Sequence, residues 1–203
     1  MIVAIPREIS PGESRVAVVP STVKELVKKG FTVQVESNAG AGSFISDADY
    51  QNAGAVIVND TEKLFTDAEM VLKVNSPVMN EKLGKHEVDM LKDGTAYVSF
   101  FQPTKETDLV QKFLTKKITG FSMHLIPRTT LAQKMDALSS QSNIAGYKSV
   151  LLGASHIGVY MPLLMTAAGT IPPAKVLVLG AGVAGLQAIA TARRLGAIVE
   201  GYD

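Results

Sequence analysis

Cysteine is absent from the 203 residues, and histidine occurs only three times. Without cysteine the chain can form no disulfide and offers no thiolate for catalysis, so it is compatible with a reducing cytoplasm. An excess of either charge is also lacking, because 20 basic residues oppose 19 acidic ones. The resulting net charge of +1 gives no field that would gather nucleic acid or acidic lipid. We therefore expect no nucleic-acid partner.

Long hydrophobic runs are missing as well. The N-terminal MIVAIPRE lacks a basic region followed by a long apolar core, which argues against a secretory signal. The most apolar window, 176–192, is interrupted by glycines, and a membrane span needs roughly 20 apolar residues. The composition, 46% hydrophobic and 19% charged, is that of a globular protein of one or two domains.

The most informative stretch is KVLVLGAGVAGLQAIATARRLGAIVEGYD, residues 175–203. It predicts a strand, a glycine-rich turn, a helix and a second strand in succession, which is a nucleotide-binding βαβ unit. Gly180, Gly182 and Gly185 occupy the G-x-G-x-x-G positions. In that motif the first glycine permits the tight turn, the second lets the backbone approach a pyrophosphate, and the third lets the helix pack closely on the sheet.

Two further features of this unit predict which nucleotide it binds. The helix start, at Val183 and Ala184, is expected to present free N–H groups to a diphosphate. Asp203 follows Gly180 by about 20 residues, the distance typical of an acid that accepts the ribose hydroxyls. Its charge would repel a 2′-phosphate, so NAD(H) is favoured over NADP(H). The alternative is a solvated acid at a strand end beside a plain strand-to-helix turn.

Short apolar runs alternate with helical patterns upstream of this unit, which predicts parallel, doubly wound sheets. Capping-box spacing marks two helix starts, at Thr22 with Glu25 and at Ser46 with Asp49. We predict strands near 1–5, 31–36, 55–58, 70–74, 95–100 and 118–123, separated by helices that include 61–67, 80–92 and 105–116.

The predicted fold class is α/β with two doubly wound parallel-sheet domains of the Rossmann or flavodoxin-like type. The second is only partly present, because a dinucleotide fold needs two mononucleotide halves and about one βαβ unit is visible. The expected division is a first domain over 1–135, a linking helix over 136–170, and the first βαβ of an NAD-binding domain over 171–203. We expect a fragment of a longer chain, or a sheet that something else completes.

The sequence resembles a known family at three places. The first begins at Ile5-Pro6-Arg7-Glu8 and continues through Glu13 and Arg15-Val16-Ala17. It is similar to the N-terminal signature shared by alanine dehydrogenases and proton-translocating NAD(P) transhydrogenases. The other two, IPRTTLAQKMDALSSQSNIAGYKSV at 126–150 and PPAKVLVLGAGVAGLQA at 172–188, resemble the NAD-binding subunit of the transhydrogenases.

The two branches of this family differ in the chemistry they require. An alanine dehydrogenase needs a histidine acid/base and cationic ligands for a substrate carboxylate. Arg15 and Lys73 match the cationic positions, but the histidine position falls on Gln102, which cannot titrate. Hydride transfer between two nicotinamides needs positioning rather than a proton-transfer group, so the transhydrogenase branch is favoured. The histidines present are expected to be surface or core residues: His86, His124 and His156.

The resemblance implies roles for four residues near the start of the predicted linking helix. Arg128 would contact the NAD diphosphate or the nicotinamide side, and Gln133 would reach toward a second nucleotide on a partner domain. Asp136 and Ser139 would hold the carboxamide, and Arg128, Gln133 and Asp136 are the expected catalytic set. The plainer alternative is that Asp136 caps a helix and Arg128 is solvated. In a transhydrogenase Arg15 and Lys73 have no amino-acid substrate, and they would only orient loops or pair with acids such as Glu8 or Glu13.

The function implied by the resemblance is that of the NAD(H)-binding subunit of a proton-translocating transhydrogenase of the Si/Re-specific type. It would be a homodimer, cytoplasmic and peripheral to the inner membrane. NADP(H) would be held on a partner domain, and membrane-spanning subunits would carry the protons. The 203 residues by themselves are expected to be inactive. The alternatives are an alanine-dehydrogenase-like oxidoreductase that uses Arg15 and Lys73, and a non-catalytic fragment or assembly module.

Overall fold

Every residue from Met1 to Asp203 is described by the computed structural model, which divides into two units. The first unit is Met1–Ile126 and the second is Pro127–Asp203. The division therefore falls just before Pro127, ahead of the expected boundary at residue 135. No helix combines the length and the apolar character that crossing a membrane requires.

The first unit contains eight strands and five α-helices. The strands are β1 (Ile2–Ile5), β2 (Thr32–Glu36), β3 (Val56–Val58), β4 (Met70–Leu72), β5 (Met79–Asn80), β6 (Lys85–His86), β7 (Ala96–Ser99) and β8 (Thr119–Ser122). The helices are α1 (Pro20–Lys28), α2 (Asp47–Asn52), α3 (Thr61–Asp67), α4 (Glu87–Met90) and α5 (Thr107–Thr115).

Six of these strands form one parallel sheet in the order β3-β2-β1-β4-β7-β8. This confirms the α/β prediction, because the order reverses between β1 and β4, which is the switch point of a doubly wound sheet. Ligands of such sheets bind outside the carboxyl ends of the strands at that point. The segments that follow Ile5 and Leu72 are therefore brought together in this unit.

Two apolar clusters support the sheet of the first unit. One is built around Leu64, Phe65, Val71, Tyr97 and Phe113. The other is built around residues that the strands, α1 and α2 supply: Val3, Ile5, Val23, Val33, Val35 and Tyr50. Each fully buried aliphatic side chain stabilises the fold by about 1.5–3 kcal/mol. The core is thus sufficient to hold polar groups in fixed positions at the strand ends.

Helix starts in the first unit agree with the sequence in one case and differ in another. The capping box of Ser46 and Asp49 is confirmed, since the Ser46 hydroxyl accepts from the Asp49 N–H and the Asp49 carboxylate accepts from the Ser46 N–H. The predicted box of Thr22 and Glu25 is wrong. Helix α1 begins at Pro20 without a side-chain cap, because proline at the first position already lacks one of the N–H groups that a cap would satisfy.

The predicted helix over 80–92 is largely replaced by a hairpin. Strands β5 and β6 pair antiparallel, and only the four residues of α4 are helical. The turn between the strands is fixed by Asn80, whose side-chain oxygen accepts from the N–H groups of Lys82 and Leu83. A side chain that bonds nearby backbone in this way competes with helix formation.

The second unit contains a 3₁₀ helix at Thr130–Met135 and the remaining elements. These are α6 (Ala137–His156), β9 (Leu164–Thr166), β10 (Gly169–Ile171), β11 (Lys175–Leu179), α7 (Val183–Arg194) and β12 (Ile198–Tyr202). Strands β11 and β12 are parallel and α7 connects them, as the βαβ prediction requires. Its small core consists of residues from α6, α7 and the segments between: Val150, Met161, Ala174, Ala188 and Ala192.

The predicted linking helix over 136–170 is too long. Helix α6 ends at His156, whose Nδ1 lies 2.8 Å from the carbonyl oxygen of Leu152 in the last turn. Residues 164–171 instead form the antiparallel hairpin of β9 and β10. Helix α6 also packs on α7 within the second unit, so it is part of that unit's core.

Candidate nucleotide-binding site

The glycine turn of the second unit has the geometry that the motif predicts. Gly180 directly follows β11 with φ of +95°, a conformation that side chains disfavour, and its N–H donates to the Tyr202 carbonyl at 2.7 Å. A Cβ added to Gly185 would lie 1.7 Å from the Gly180 carbonyl oxygen, so only glycine fits there. A Cβ on Gly182 would meet no atom within 4 Å, which leaves that position open to a ligand.

Helix α7 begins at this turn with its N-terminus uncapped by any side chain. Gly182 is the N-cap residue, and the first intrahelical bond runs from the Leu186 N–H to the Gly182 carbonyl at 2.8 Å. The N–H groups of Val183, Ala184 and Gly185 therefore have no acceptor within the helix. Together with the helix dipole, such a terminus favours an anion.

Asp203 lies beside the glycine turn. Its Oδ2 accepts a hydrogen bond from the Ala181 N–H at 3.0 Å, and the residue is exposed. The end of β12 is thus joined to the middle of the turn that follows β11. This is the position at which an acid can accept ribose hydroxyls while a diphosphate contacts the turn.

The start of α6 and the glycine turn line one cleft of about 520 Å³. Arg128, Leu138, Ser139 and Ser142 line it on one side, and on the other are Leu179, Gly180, Gly182, Val183, Ala184 and Gly185. Arg128 is exposed at this cleft. Ser142 was not among the predicted site residues, although it follows Ser139 by three residues and helical spacing puts both on one face.

Asp136 caps α6, as the plainer alternative expected. Its Oδ1 accepts from the Ser139 N–H at 2.9 Å and its Oδ2 accepts from the Ser139 hydroxyl at 2.6 Å. The hydroxyl bond, then the backbone bond, and then the charge of Arg128 lower the pKa of Asp136 below its ordinary value. The carboxylate is therefore ionised at neutral pH, and it fixes the rotamer of Ser139 at the cleft.

Gln133 does not line the cleft. It is exposed on the 3₁₀ helix Thr130–Met135, and its backbone carbonyl accepts the Asp136 N–H at 3.2 Å. The structure therefore brings Arg128 and Ser139 together at the glycine turn and leaves Gln133 on the surface.

The first unit holds a cluster of buried charges at its switch point. Lys73 Nζ lies 2.8 and 2.7 Å from the two carboxylate oxygens of Glu87 and 3.7 Å from Glu8 Oε2. Its side chain has no exposed surface. The Glu8 carboxylate also accepts from the Val74 N–H at 2.6 Å, and Glu87 accepts from the Val78 N–H at 2.9 Å. Burial raises the pKa of Glu87 above its ordinary value, although Lys73 opposes the shift.

Arg15 is paired in the same region of the first unit. Its Nη2 lies 2.6 Å from Glu13 Oε2 and its Nε donates to Glu13 Oε1 at 2.8 Å. The side-chain amide of Asn75 donates to the same carboxylate at 3.0 Å. The Arg15 hydrogen bond is the largest cause that lowers the pKa of Glu13 to about 2. Arg15 and Lys73, the two cations that match the positions for binding a substrate carboxylate, are therefore both neutralised by acids of the chain itself.

One histidine lies closer to a predicted site position than the sequence indicated. His124 Nε2 is 3.4 Å from Gln102 Nε2, and its ring packs edge-on against Phe100. His124 follows β8 and Gln102 follows β7, and these two strands are adjacent in the sheet. His86 caps α4, and His156 bonds the last turn of α6. A titratable ring is thus present beside Gln102, and its separation from Gln102 in sequence concealed this.

Known proteins resemble this chain over its whole length. Residues 4–145 match the family model described as "Alanine dehydrogenase/PNT, N-terminal domain", and residues 149–203 match "Alanine dehydrogenase/PNT, C-terminal domain". The chain is 47% identical over 203 residues to an NAD(P) transhydrogenase subunit alpha chain of Rhodospirillum rubrum. It is 32% identical over 206 residues to an alanine dehydrogenase of Methanococcus maripaludis.

A solved structure agrees with these sequence matches. The crystal structure of transhydrogenase from Sinorhizobium meliloti superposes with a TM-score of 0.93 at 43% identity, covering 100% of this chain and 59% of that one. Each of the two sequence relatives is covered over 53% of its length, and each covers 100% of this chain. The chain therefore spans about half the length of the curated relatives it matches.

Proposed function

Because the chain belongs to the alanine dehydrogenase/PNT family, we propose that it forms the NAD(H)-binding part of an NAD(P) transhydrogenase. The observation that carries the proposal is the cleft between the start of α6 and the glycine turn, which contains an uncapped helix N-terminus and lies beside the acid that follows the second strand and bonds the turn. The greater identity to a transhydrogenase subunit than to an alanine dehydrogenase supports the same branch.

Residues that line the cleft or lie beside it would contact a dinucleotide in three places. The free N–H groups from Val183 to Gly185 would bind the diphosphate, and Asp203 would accept the ribose hydroxyls. The guanidinium of Arg128 would add donors for phosphate oxygens. When bound, NAD(H) supplies the hydride that is transferred. The acid at position 203 would disfavour the 2′-phosphate of NADP(H), which is proposed to bind on a partner domain.

Orientation of the nicotinamide is assigned to the pair of Asp136 and Ser139. The Asp136 carboxylate holds the Ser139 hydroxyl at 2.6 Å, so that hydroxyl retains lone pairs for a carboxamide N–H. Such a bond would fix which side of the ring faces the acceptor, and positioning is the main requirement of direct hydride transfer. Gln133, exposed outside the cleft, would be free to contact the second nucleotide.

The charges of the first unit support this reaction over amino-acid chemistry. A keto or amino acid would need Lys73 and Arg15 to bind its carboxylate, and both are paired internally. Lys73 is also completely inaccessible. Their proposed role is to hold the segment from Lys73 to Val78, whose N–H groups the buried carboxylates accept.

The proposed partners are an NADP(H)-binding subunit, membrane-spanning subunits that carry protons, and a second copy of this chain. The site would then lie on the cytoplasmic face, peripheral to the inner membrane. The apolar hairpin of β9 and β10 supports a homodimer, since Met165 and Ile171 on it, and Leu163 just before it, are about half or more exposed. Sedimentation of the full gene product tests this: a monomer at micromolar concentration would contradict the dimer.

Titration of the full gene product with NADH, followed by nucleotide fluorescence, tests the nucleotide site. Asp203→Ala is expected to weaken NADH binding about tenfold, the effect of losing roughly 1.4 kcal/mol. Glu200→Ala is the matched control, because this exposed acid lies on β12 three residues before Asp203 and its side chain is not bonded to the glycine turn, so its loss should leave binding unchanged. Absence of NADH binding to the wild-type protein would contradict the proposal.

Addition of an NADP(H)-binding transhydrogenase subunit then tests the reaction. We expect hydride transfer from NADH to an NADP⁺ analogue, and none from NADH to pyruvate with ammonium. An alanine-dehydrogenase-like activity is the second candidate, favoured by the ring of His124 beside Gln102. Oxidation of NADH by pyruvate and ammonium without a partner subunit, lost in His124→Gln, would establish that candidate instead.

A further inference from the structure

We propose that Gly146 is a positioning residue that sets the width of the nucleotide cleft, an inference that rests on the proposed function. Gly146 lies in the middle of α6 and is buried. A Cβ added there would lie 2.1 Å from the carbonyl oxygen of Ala184, and 2.9 and 3.0 Å from that residue's carbonyl carbon and Cα. The backbone of α6 thus lies directly against the first turn of α7.

Gly146 shares a helix face with the cleft residues of α6. Ser139, Ser142 and Gly146 follow the i, i+3, i+7 spacing of one face. Ser139 and Ser142 line the cleft, and Ala184, which Gly146 contacts, lines it from the other side. The cleft is therefore a wedge between two helices, and Gly146 with Ala184 forms its closed end.

Neighbouring contacts maintain this closed end. Asn143 Nδ2 donates to Gln187 Oε1 at 3.1 Å, which joins α6 to α7 one turn away from the glycine. Val150 and Ala188 lie in the same apolar core on the next turns. Because the obstructing atoms at Ala184 belong to the backbone, a side chain at position 146 can be accommodated only if one helix moves.

Movement of one helix would weaken a ligand that contacts both sides of the cleft, α6 and the glycine turn, more than a ligand that contacts only one side. A whole dinucleotide reaches both the glycine turn and the hydroxyl of Ser139, so the distance between the walls must match its length. ADP takes its main contacts from the turn and Asp203, which belong to one βαβ unit and move together, and the long exposed side chain of Arg128 can follow its phosphate oxygens. A wider cleft should therefore weaken NADH binding while ADP binding persists.

The test compares Gly146→Ala with Gly153→Ala in the full gene product, with NADH and ADP as the two probes. Gly153 lies on the same helix, and a Cβ there meets no atom within 4 Å. We expect Gly146→Ala to weaken NADH binding at least tenfold and ADP binding less than threefold, and Gly153→Ala to change neither. Equal losses for both ligands, or no loss of NADH affinity, would overturn the inference.

A second variant covers the case in which Gly146→Ala does not fold. Asn143→Ala removes the bond to Gln187 at an exposed position without adding volume. It is expected to weaken NADH binding two- to threefold and to leave ADP binding unchanged, whereas unchanged NADH binding would count against the wedge. If the wild-type protein binds neither NADH nor ADP, the proposed function itself fails, which is distinguishable from failure of this inference.

Discussion

The two units place charged groups at the ends of parallel strands in opposite ways. At the switch point of the first unit, Glu8, Lys73 and Glu87 are buried and bond one another and nearby backbone. At the end of β12 in the second unit, Asp203 is exposed and bonds a single N–H group. Strand ends of this type are ligand sites in doubly wound sheets, so position alone would predict a ligand site at both places. The difference is that the Asp203 carboxylate can still accept further hydrogen bonds, whereas the buried charges of the first unit already bond one another.

The largest effect is expected from breaking the buried cluster. Lys73→Met should lower the free energy of unfolding by about 3–5 kcal/mol, because it leaves two carboxylates buried without their cation. Urea denaturation measures the change. The double variant Lys73→Met with Glu87→Leu should recover much of the loss, since replacing both members of a buried pair by apolar residues is often close to neutral. A Lys73→Met protein as stable as wild type would show that the cluster is not structural.

The glycines of the second unit should separate stability from binding. Gly185→Ala brings a Cβ to 1.7 Å from the Gly180 carbonyl, and overpacking of this kind costs about 1–3 kcal/mol of stability. Gly182→Ala meets no protein atom and should change stability by less than about 0.5 kcal/mol while weakening NADH binding. Thermal unfolding and NADH titration on both variants provide the measurement. Unchanged NADH affinity in Gly182→Ala would contradict the proposal that the diphosphate binds at this turn.

Two serines at helix starts, one in each unit, allow a direct comparison of the units. Ser46 caps α2 in the first unit, and Ser139 bonds the Asp136 cap of α6 at the cleft. Alanine at either position should lower the free energy of unfolding by about 0.5–1 kcal/mol. Only Ser139→Ala is expected to weaken NADH binding, by about tenfold, and Ser46→Ala is its control. Equal NADH affinities of wild type and Ser139→Ala would restrict Ser139 to supporting the Asp136 cap.

The smallest effect concerns the pH dependence of the first unit. Arg15 lowers the pKa of Glu13 from 4.5 to about 2, so the folded state favours the ionised carboxylate. The stabilisation is therefore complete above about pH 4.5 and is lost as the pH falls toward 2. Since Arg15 is partly exposed, its size should stay below about 1 kcal/mol. The stability difference between wild type and Glu13→Gln should disappear across that window, and a difference that persists at pH 2 would exclude this pair as its cause.

Local patterns in the sequence were sufficient for much of the fold. Apolar runs predicted all six strands of the large sheet, and the glycine spacing predicted the βαβ unit with Asp203 at the end of its second strand. The hairpin of β5 and β6 was missed because the Asn80 side chain bonds nearby backbone and overrides a weak helical pattern there. Helix propensity averaged over neighbouring residues does not include such side-chain bonds.

Non-local contacts account for what was missed at the candidate sites. The acids Glu8 and Glu13 were foreseen as partners of the cations, but Glu87, the shortest contact of Lys73, was not. His124 reaches Gln102 only because β7 and β8 are neighbours in the sheet. Ser142 could have been found from helical spacing, whereas the closeness of Gly146 to Ala184 depends on how two helices cross.

The six-stranded sheet draws all of its strands from the first 126 residues. A ribosome adds about 5–20 residues per second and domains generally fold as units from the N-terminus, so this sheet can form while the rest of the chain is still being synthesised. Glu8, Lys73 and Glu87 would find one another during that interval. The buried charges would therefore already be paired when the first glycine of the nucleotide turn leaves the exit tunnel.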